Sequence, residues 1–395
     1  MTDPPTSTVP YRGLKVLELA ENLPGPYAGF LLASWGADVV KIEPPRGDAA
    51  RGMRPFFDML NRGKRSVVLD LRDPARAAAR DALLRWADVV IEGYRPGVAA
   101  RLGVDGERAR RLNPRVVHCA ISAFGQSGPR RRQPGHDLNL QALTGVCALE
   151  GGPRGTDGGF AMLPVADLSS SLIAVAAVGA ALAARGEDGK GRCLDVAMAD
   201  GALSWANLWG VGANPAPRAR ALLSQRGGPV LTALGGPLLR TLARLRIYAL
   251  PHYGVYRCGD GRYLALGIVD EGHFWRALVE ALGLPRVLGT LDQTARTVSG
   301  PLLSRLVARR LRQRPRDAWL ERLEARDVPA TPVLRPEEAV RDPQVQARGM
   351  ADERGWVRAP LPQALHLGGL APGLGADTEQ VLAELGLDPH LGVAV

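Results

Sequence analysis

A histidine and an aspartate stand side by side in QPGHDLNLQAL, residues 133 to 143, where a Gly-Pro loop gives way to an amphipathic segment. An imidazole titrates near neutrality, so His136 is a candidate base; the alternative is a helix-start residue that happens to be histidine. Asp167, in LPVADLSSS, lies between an apolar strand-like run and a long apolar helix. Free backbone N–H groups and the helix dipole stabilise a carboxylate there, so Asp167 reads either as an N-cap or as an active-site nucleophile or acid/base. Burial would raise its pKa and the helix end would lower it, which leaves its protonation state open.

Other chemistries lack their residues. The histidines at 118, 136, 252, 273, 366 and 390 show no H-x-x-x-H or H-x-H spacing and none pairs with a cysteine, so no metal site is expected. There is no G-x-S-x-G elbow for a serine nucleophile. Cys119, Cys147, Cys193 and Cys258 are far apart in apolar runs and read as reduced core residues of a cytoplasmic protein. The net charge of 50 − 40 = +10 rests on arginines scattered among alanine, glycine and proline, with only four lysines. No aromatic residues interleave with Arg130, Arg131 and Arg132, so nucleic acid is not an expected partner.

The elements that must position these groups follow from periodicity. Short β-branched runs (LKVLELA, DVVKIE, SVVLDL, DVVIEGY, VVHCAISAF) alternate with helical ones (PGPYAGFLLASWGA, DPARAAARDALLRWA). That is the pattern of an α/β domain with a mostly parallel sheet covered on both faces. No G-x-G-x-x-G loop follows the first strand, so a dinucleotide cofactor is not indicated. The apolar stretch from Leu168 approaches the length of a membrane span, but its small residues fit a helix buried on all sides within the domain, and no membrane is expected.

The chain divides as a disordered lead-in over 1–12, a large α/β domain over 13–211 and a Pro/Gly/Arg-rich interdomain connection over 212–250. A smaller α+β domain follows over 251–325, with strands YGVYRC and RYLALGI around a CGDG turn, and 326–395 returns to the large domain. In that return VPATPVL reads as another buried strand and PEEAVRDPQVQARGM as a helix.

From about Leu14 to Met350 the ordered segments resemble the family III CoA-transferases, which include the α-methylacyl-CoA racemases. The resemblance is carried by GLKVLELA with PGPYAGFLLASWGADVVKIE, NRGKRSVVLDLR, ADVVIEGYRPGVAARLG, FGQSGP, PGHDLNLQALTG, the Asp167 segment, GKGRCLDVAMADGAL, YGVYRCGDGRYLALG and DVPATPVL with DPQVQARGM. It implies a Rossmann-like large domain and an interlocked homodimer whose chains thread through one another. It also implies CoA held at the interface as part of an acyl-CoA thioester substrate, with no tightly bound cofactor.

Within the family, Asp167 matches the catalytic aspartate. In the transferases that carboxylate attacks the thioester, and an aspartyl-CoA intermediate is resolved by a free carboxylic acid. In the racemases it is an acid/base facing the histidine of a G-H-D-[IL]-N motif, here Gly135, His136, Asp137, Leu138 and Asn139. Two such groups on opposite faces invert the α-carbon of a 2-methylacyl thioester. The racemases also carry a glutamate after the small-domain hairpin; here Asp270 or Glu271 stands at that place. For CoA the resemblance implies Leu69, Asp70, Leu71, Arg72, Gly93, Tyr94, Arg95, Arg101 and the loop from Gly135 to Leu140. A family arginine falls on Pro44, so either Lys41 or Arg46 replaces its charge or the contact is missing.

Two departures accompany the match. Leu168, Ser169, Ser170 and Ser171 replace the racemases' glycines, and the Gly-rich loop of the formyl-CoA transferases is absent. The histidine favours racemase-like α-proton exchange, with CoA transfer second and a non-catalytic CoA-binding scaffold third.

Overall fold

The computed structural model describes residues 9–149, 163–208, 250–362 and 364–388. The connection expected over 212–250 therefore lies, apart from Leu250, outside the described residues. Those residues gather into two compact units, one drawn from Met1–Leu208 and Pro343–Val395 and the other from Trp209–Asp342.

The first unit is built on six parallel strands: β1 (Lys15–Leu19), β2 (Asp38–Glu43), β3 (Arg65–Val68), β4 (Val89–Glu92), β5 (Val117–Ser122) and β6 (Cys193–Ala197). Their order is β3-β2-β1-β4-β5-β6, so the chain reverses its direction of travel between β1 and β4. Adjacent valines of one strand serve opposite faces. Val16, Val39 and Val89 pack with α1 (Pro24–Ser34) and α8 (Val165–Asp188), whereas Leu17, Val40 and Val90 pack with α3 (Ala77–Trp86). Burial on both faces is why these strands read as unbroken apolar runs, each fully buried leucine or valine contributing roughly 1.5–3 kcal/mol.

The helix α8 is long and apolar enough to cross a membrane, yet one stripe of it (Ala166, Ala174, Val175, Val178, Ala181) lies in the core against the sheet. The expectation of burial on all sides is corrected: Leu172 and Ile173 are exposed, as are Leu203 and Trp205 of α9 (Met198–Asn207). Cys193 is exposed and Cys147 half-buried, so only Cys119 and Cys258 are the core residues expected of all four. The lead-in also ends sooner than residue 12, because Tyr11 donates its amide to Trp35 O (2.8 Å) and packs edge-on against that indole.

In the second unit, β7 (Tyr253–Arg257) and β8 (Tyr263–Gly267) form the expected hairpin, with Gly261 at φ 83° in its turn. Its inner face packs on Trp275, Leu278, Leu303, Val307, Trp319 and Leu323. The return to the first unit comes at Pro343, not at residue 326, because β9 (Ala330–Pro332) pairs antiparallel with β8 and keeps the chain in the second unit. That strand is half-exposed at the sheet's edge, not buried. The single helix expected after it is two short ones, Pro336–Ala339 and Pro343–Ala347, each begun by a proline.

Two glycines test this packing. A Cβ on Gly191 would lie 2.0 Å from Val116 O, a backbone atom that cannot swing aside, whereas Gly186 in α8 faces open space. Gly191→Ala is expected to destabilise the protein by about 3 kcal/mol, and Gly186→Ala to stabilise it by up to about 1 kcal/mol. Urea unfolding midpoints distinguish the two; equal midpoints would contradict this close approach.

Candidate active site

Asp167 is the third residue of α8, whose N-cap position is held by Pro164, a residue without a capping side chain. The cap comes from another helix. Asp137, first residue of α6 (Asp137–Thr144), accepts from the amides of Ala166 (2.7 Å) and Asp167 (3.1 Å) through Oδ1 and from the buried Gln141 side chain through Oδ2. Gln141 also donates to Leu163 O at 3.0 Å, which ties the approach to α8 onto α6. Asp167 is therefore not its own N-cap. Its half-buried carboxyl is not spent on that cap, and burial, with the Asp137 charge beside it, pushes its pKa up to about 7.

His136 is the exposed N-cap residue of α6, its amide donating to Asn139 Oδ1 at 3.0 Å. The helix-start reading of this histidine holds, and its neighbour Asp137 is bonded to the Asp167 amide. The serines that replace the racemases' glycines turn inward: Ser169 donates to Ala166 O, Ser170 to Asp167 O, and Ser171 lies 2.8 Å from both Asp167 O and Pro24 O. All three are fully buried. Their hydroxyls are spent on backbone carbonyls.

At the carboxyl ends of β1 to β4 a cleft of about 300 Å³ opens. Leu69, Asp70, Leu71, Arg72 and Tyr94, all named from sequence, line it together with Ala20, Glu21, Pro44, Arg46 and Leu102. Its floor is apolar and its rim charged. Gly93 lies beside it, where a Cβ would come within 3.2 Å of Ala20 Cβ. Arg95 is exposed beyond Tyr94, and Arg101 is exposed on α4 (Val98–Leu102).

Several ligand-binding expectations are corrected. Lys41 is buried, and its ammonium is committed to Glu18 Oε1 (3.0 Å), Asp48 Oδ2 (2.9 Å) and Ala20 O (2.6 Å). Of the two, it is Arg46 that reaches the cleft, paired with Glu21 at 2.9 Å. Leu140 belongs to the core, and the Asp137 carboxylate is taken up by its three donors. Of the same loop, Gly135 packs on Ala123 and Phe124, Asn139 holds the His136 amide, and Leu138 is exposed; none of the three lines the cleft.

Asp270 and Glu271 lie in the second unit, on the turn between β8 and the helix Gly272–Ala281. Glu271 folds back so that Oε2 accepts from the amides of Val269 and Asp270. Backbone amides, its own first, hold its carboxyl below the ordinary range. Asp270 projects outward, while the buried Arg296 donates to its backbone carbonyl at 3.1 Å.

Sequence reasoning missed Glu21, Leu102 and the true role of Asp137. Glu21 could have been reached by reading the residues just beyond strand ends at the β1/β4 switch point, where ligands bind in open α/β sheets, whereas Leu102 closes α4 and carries no such signal.

The profile for CoA-transferase family III matches residues 11–365. A succinate–glutarate CoA-transferase of Agrobacterium fabrum is 33% identical over 98% of both chains. The human α-methylacyl-CoA racemase is 31% identical over 95% of this chain and 93% of its own. An acetyl-CoA:oxalate CoA-transferase of Acetobacter aceti is 30% identical over 91% and 90%. Among solved structures, a CAIB/BAIF family protein from Brucella suis superposes with a TM-score of 0.75 at 28% identity, covering 95% of this chain and 98% of that one.

The raised pKa of Asp167 makes a stability prediction. Its folded value, about 7, exceeds the ordinary 3.8, so the folded state holds this proton more tightly and loses stability as pH rises between those values. Asp167→Asn is expected to be more stable than the wild type near pH 9, on the order of a few kcal/mol, with the gain vanishing near pH 4. Thermal melts across that range measure it; a gain independent of pH would refute the assignment.

Proposed function

Because this chain belongs to the family III CoA-transferases, we propose that it exchanges the α-proton of a 2-methyl-branched acyl-CoA, with His136 and Asp167 as the acid/base pair. The observation that carries this reading is the Asp167 carboxyl, pushed up to about 7, on a residue whose backbone amide Asp137 ties to the helix start that bears His136. A carboxyl that titrates near neutrality is suited to both taking and returning a proton. The inward-facing serines support it as well, because they leave the solvent side of the α8 first turn without competing hydroxyls.

CoA enters as part of the substrate, and no tightly bound cofactor is required. Its nucleotide end fits the cleft at β1 to β4. Arg72, Arg95 and Arg101, which make no ion pair with a carboxylate among the described residues, suit its phosphates. The exposed apolar residues of α8 and α9 (Leu172, Ile173, Leu203, Trp205) favour a homodimer that covers them. The four free thiols fit the reducing cytoplasm.

A second reading is CoA transfer between carboxylic acids through an Asp167 thioester. It is favoured by the relatives named as transferases at 33% and 30% identity.

Incubation with a 2-methylacyl-CoA in D₂O, with and without a free acid, separates the two. Deuterium at the α-carbon without acid is expected. Acid-dependent movement of CoA, with a hydroxylamine-trapped Asp167 adduct, would instead establish transfer. His136→Ala is expected to slow α-exchange by about 10²–10⁴ while calorimetry finds CoA binding nearly unchanged; undiminished exchange would remove the imidazole from the chemistry.

A further inference from the structure

Between the cleft and the Asp167 helix runs Ala20 to Pro26, a loop together with the first residues of α1, and four side chains shut away from water hold it. Glu18 on β1 receives Lys41 from β2 on one carboxylate oxygen (3.0 Å) and Lys64, just before β3, on the other (2.7 Å). Asp48 completes the set against Lys41 at 2.9 Å. None of these side chains exceeds 2% exposure, and two positive charges balance two negative ones.

Three further bonds of the cluster go to the loop, alongside the one that Asp48 Oδ1 accepts from the Ala50 amide at 2.9 Å. Lys41 donates to Ala20 O (2.6 Å) and Lys64 to Pro26 O (2.8 Å), with its third contact at Asn61 Oδ1 (2.8 Å). Asp48 Oδ1 accepts from the amide of Asn22, which sits at φ 67° in the left-handed region. The loop is thereby fixed at its two ends and its bend. From the other side Ser171, one turn along from Asp167, meets Pro24 O at 2.8 Å. Ala20 and Glu21 are also cleft walls.

Three contacts of this cluster converge on one segment, and a buried ion pair is weak evidence for stability, because apolar residues of similar volume often serve as well. We infer that Glu18, Lys41, Asp48 and Lys64 are positioning residues that set the Ala20–Pro26 loop before substrate arrives, Lys41 and Asp48 registering the nucleotide wall and Lys64 registering the start of α1 against the Asp167 turn. This rests on the reading of the cleft as the CoA site.

The test uses the full-length enzyme. CoA is first titrated into the wild type by calorimetry; absence of binding sinks the reading of the cleft. Glu18→Met/Lys64→Met then removes one charge of each sign at matched volume and leaves Lys41 with Asp48. Cooperative unfolding at nearly the wild-type Tm is expected, with CoA Kd within about threefold and kcat, for whichever of α-exchange or CoA transfer the enzyme performs, lower by roughly ten- to hundredfold. A folded variant with wild-type kcat overturns the inference. Hydrogen exchange on the wild type decides independently of that variant's folding and of CoA affinity. Amides of Asn22 and Tyr27 as slow without CoA as that of Leu17 support a pre-set loop; fast exchange without CoA defeats it.

Discussion

The geometry of this site depends on one carboxylate doing the work of another. A helix that begins at Val165 exposes amides that need an acceptor, and the nearest acidic side chain in sequence is Asp167 itself. Had Asp167 turned back to cap its own helix, its charge would be stabilised and its pKa low. Asp137 reaches across from α6 and takes the amides of Ala166 and Asp167 instead. Asp167 is thereby released, and the negative charge now beside it adds to burial in raising its pKa. The same bond fixes where α6 starts relative to α8, and so where His136 stands.

Much of this was legible in the sequence, and the limits have physical causes. The parallel sheet followed from paired apolar runs because both of its faces are buried. Asp167 and His136 could be singled out by residue type and context. Which of two adjacent aspartates would be spent as a cap could not, since that depends on a contact between residues 29 or 30 apart in sequence. Lys41 illustrates a signal that was present and unread. It stands directly opposite Glu18 in the β1–β2 register, so two charges of opposite sign fall at matching depth in two otherwise apolar strands. Such a pair points inward to a buried ion contact and away from a phosphate in solvent. The return at Pro343 was misjudged because three residues of edge strand are too few to carry a periodicity.

The strand order is that of a dinucleotide-binding sheet, yet the glycine fingerprint is missing, and the structure shows how its tasks are distributed. The tight bend after β1 falls on Asn22 at φ 67°, one of the few side chains that tolerates it. Close approach of backbone is served by Gly25, where a Cβ would lie 2.2 Å from Ala20 Cβ, and packing of α1 on the sheet by Gly29, where one would lie 1.9 Å from Glu18 Oε2.

One task is not reproduced. In a dinucleotide fold the first helix offers its free amides to a diphosphate. Here the first three positions of α1 are Pro24, Gly25 and Pro26, so two of the three carry no N–H at all. That helix end has few free amides to offer an anion, so the CoA phosphates of the proposed reading fall to side chains. Arginine meets it through a fork of donors whose reach does not require the backbone to come close. On the proposed CoA reading, arginines on the rim take the phosphate charge and leave the loop after β1 free of that duty. The loop can instead be pinned from below by buried charges and link the cleft to the Asp167 turn.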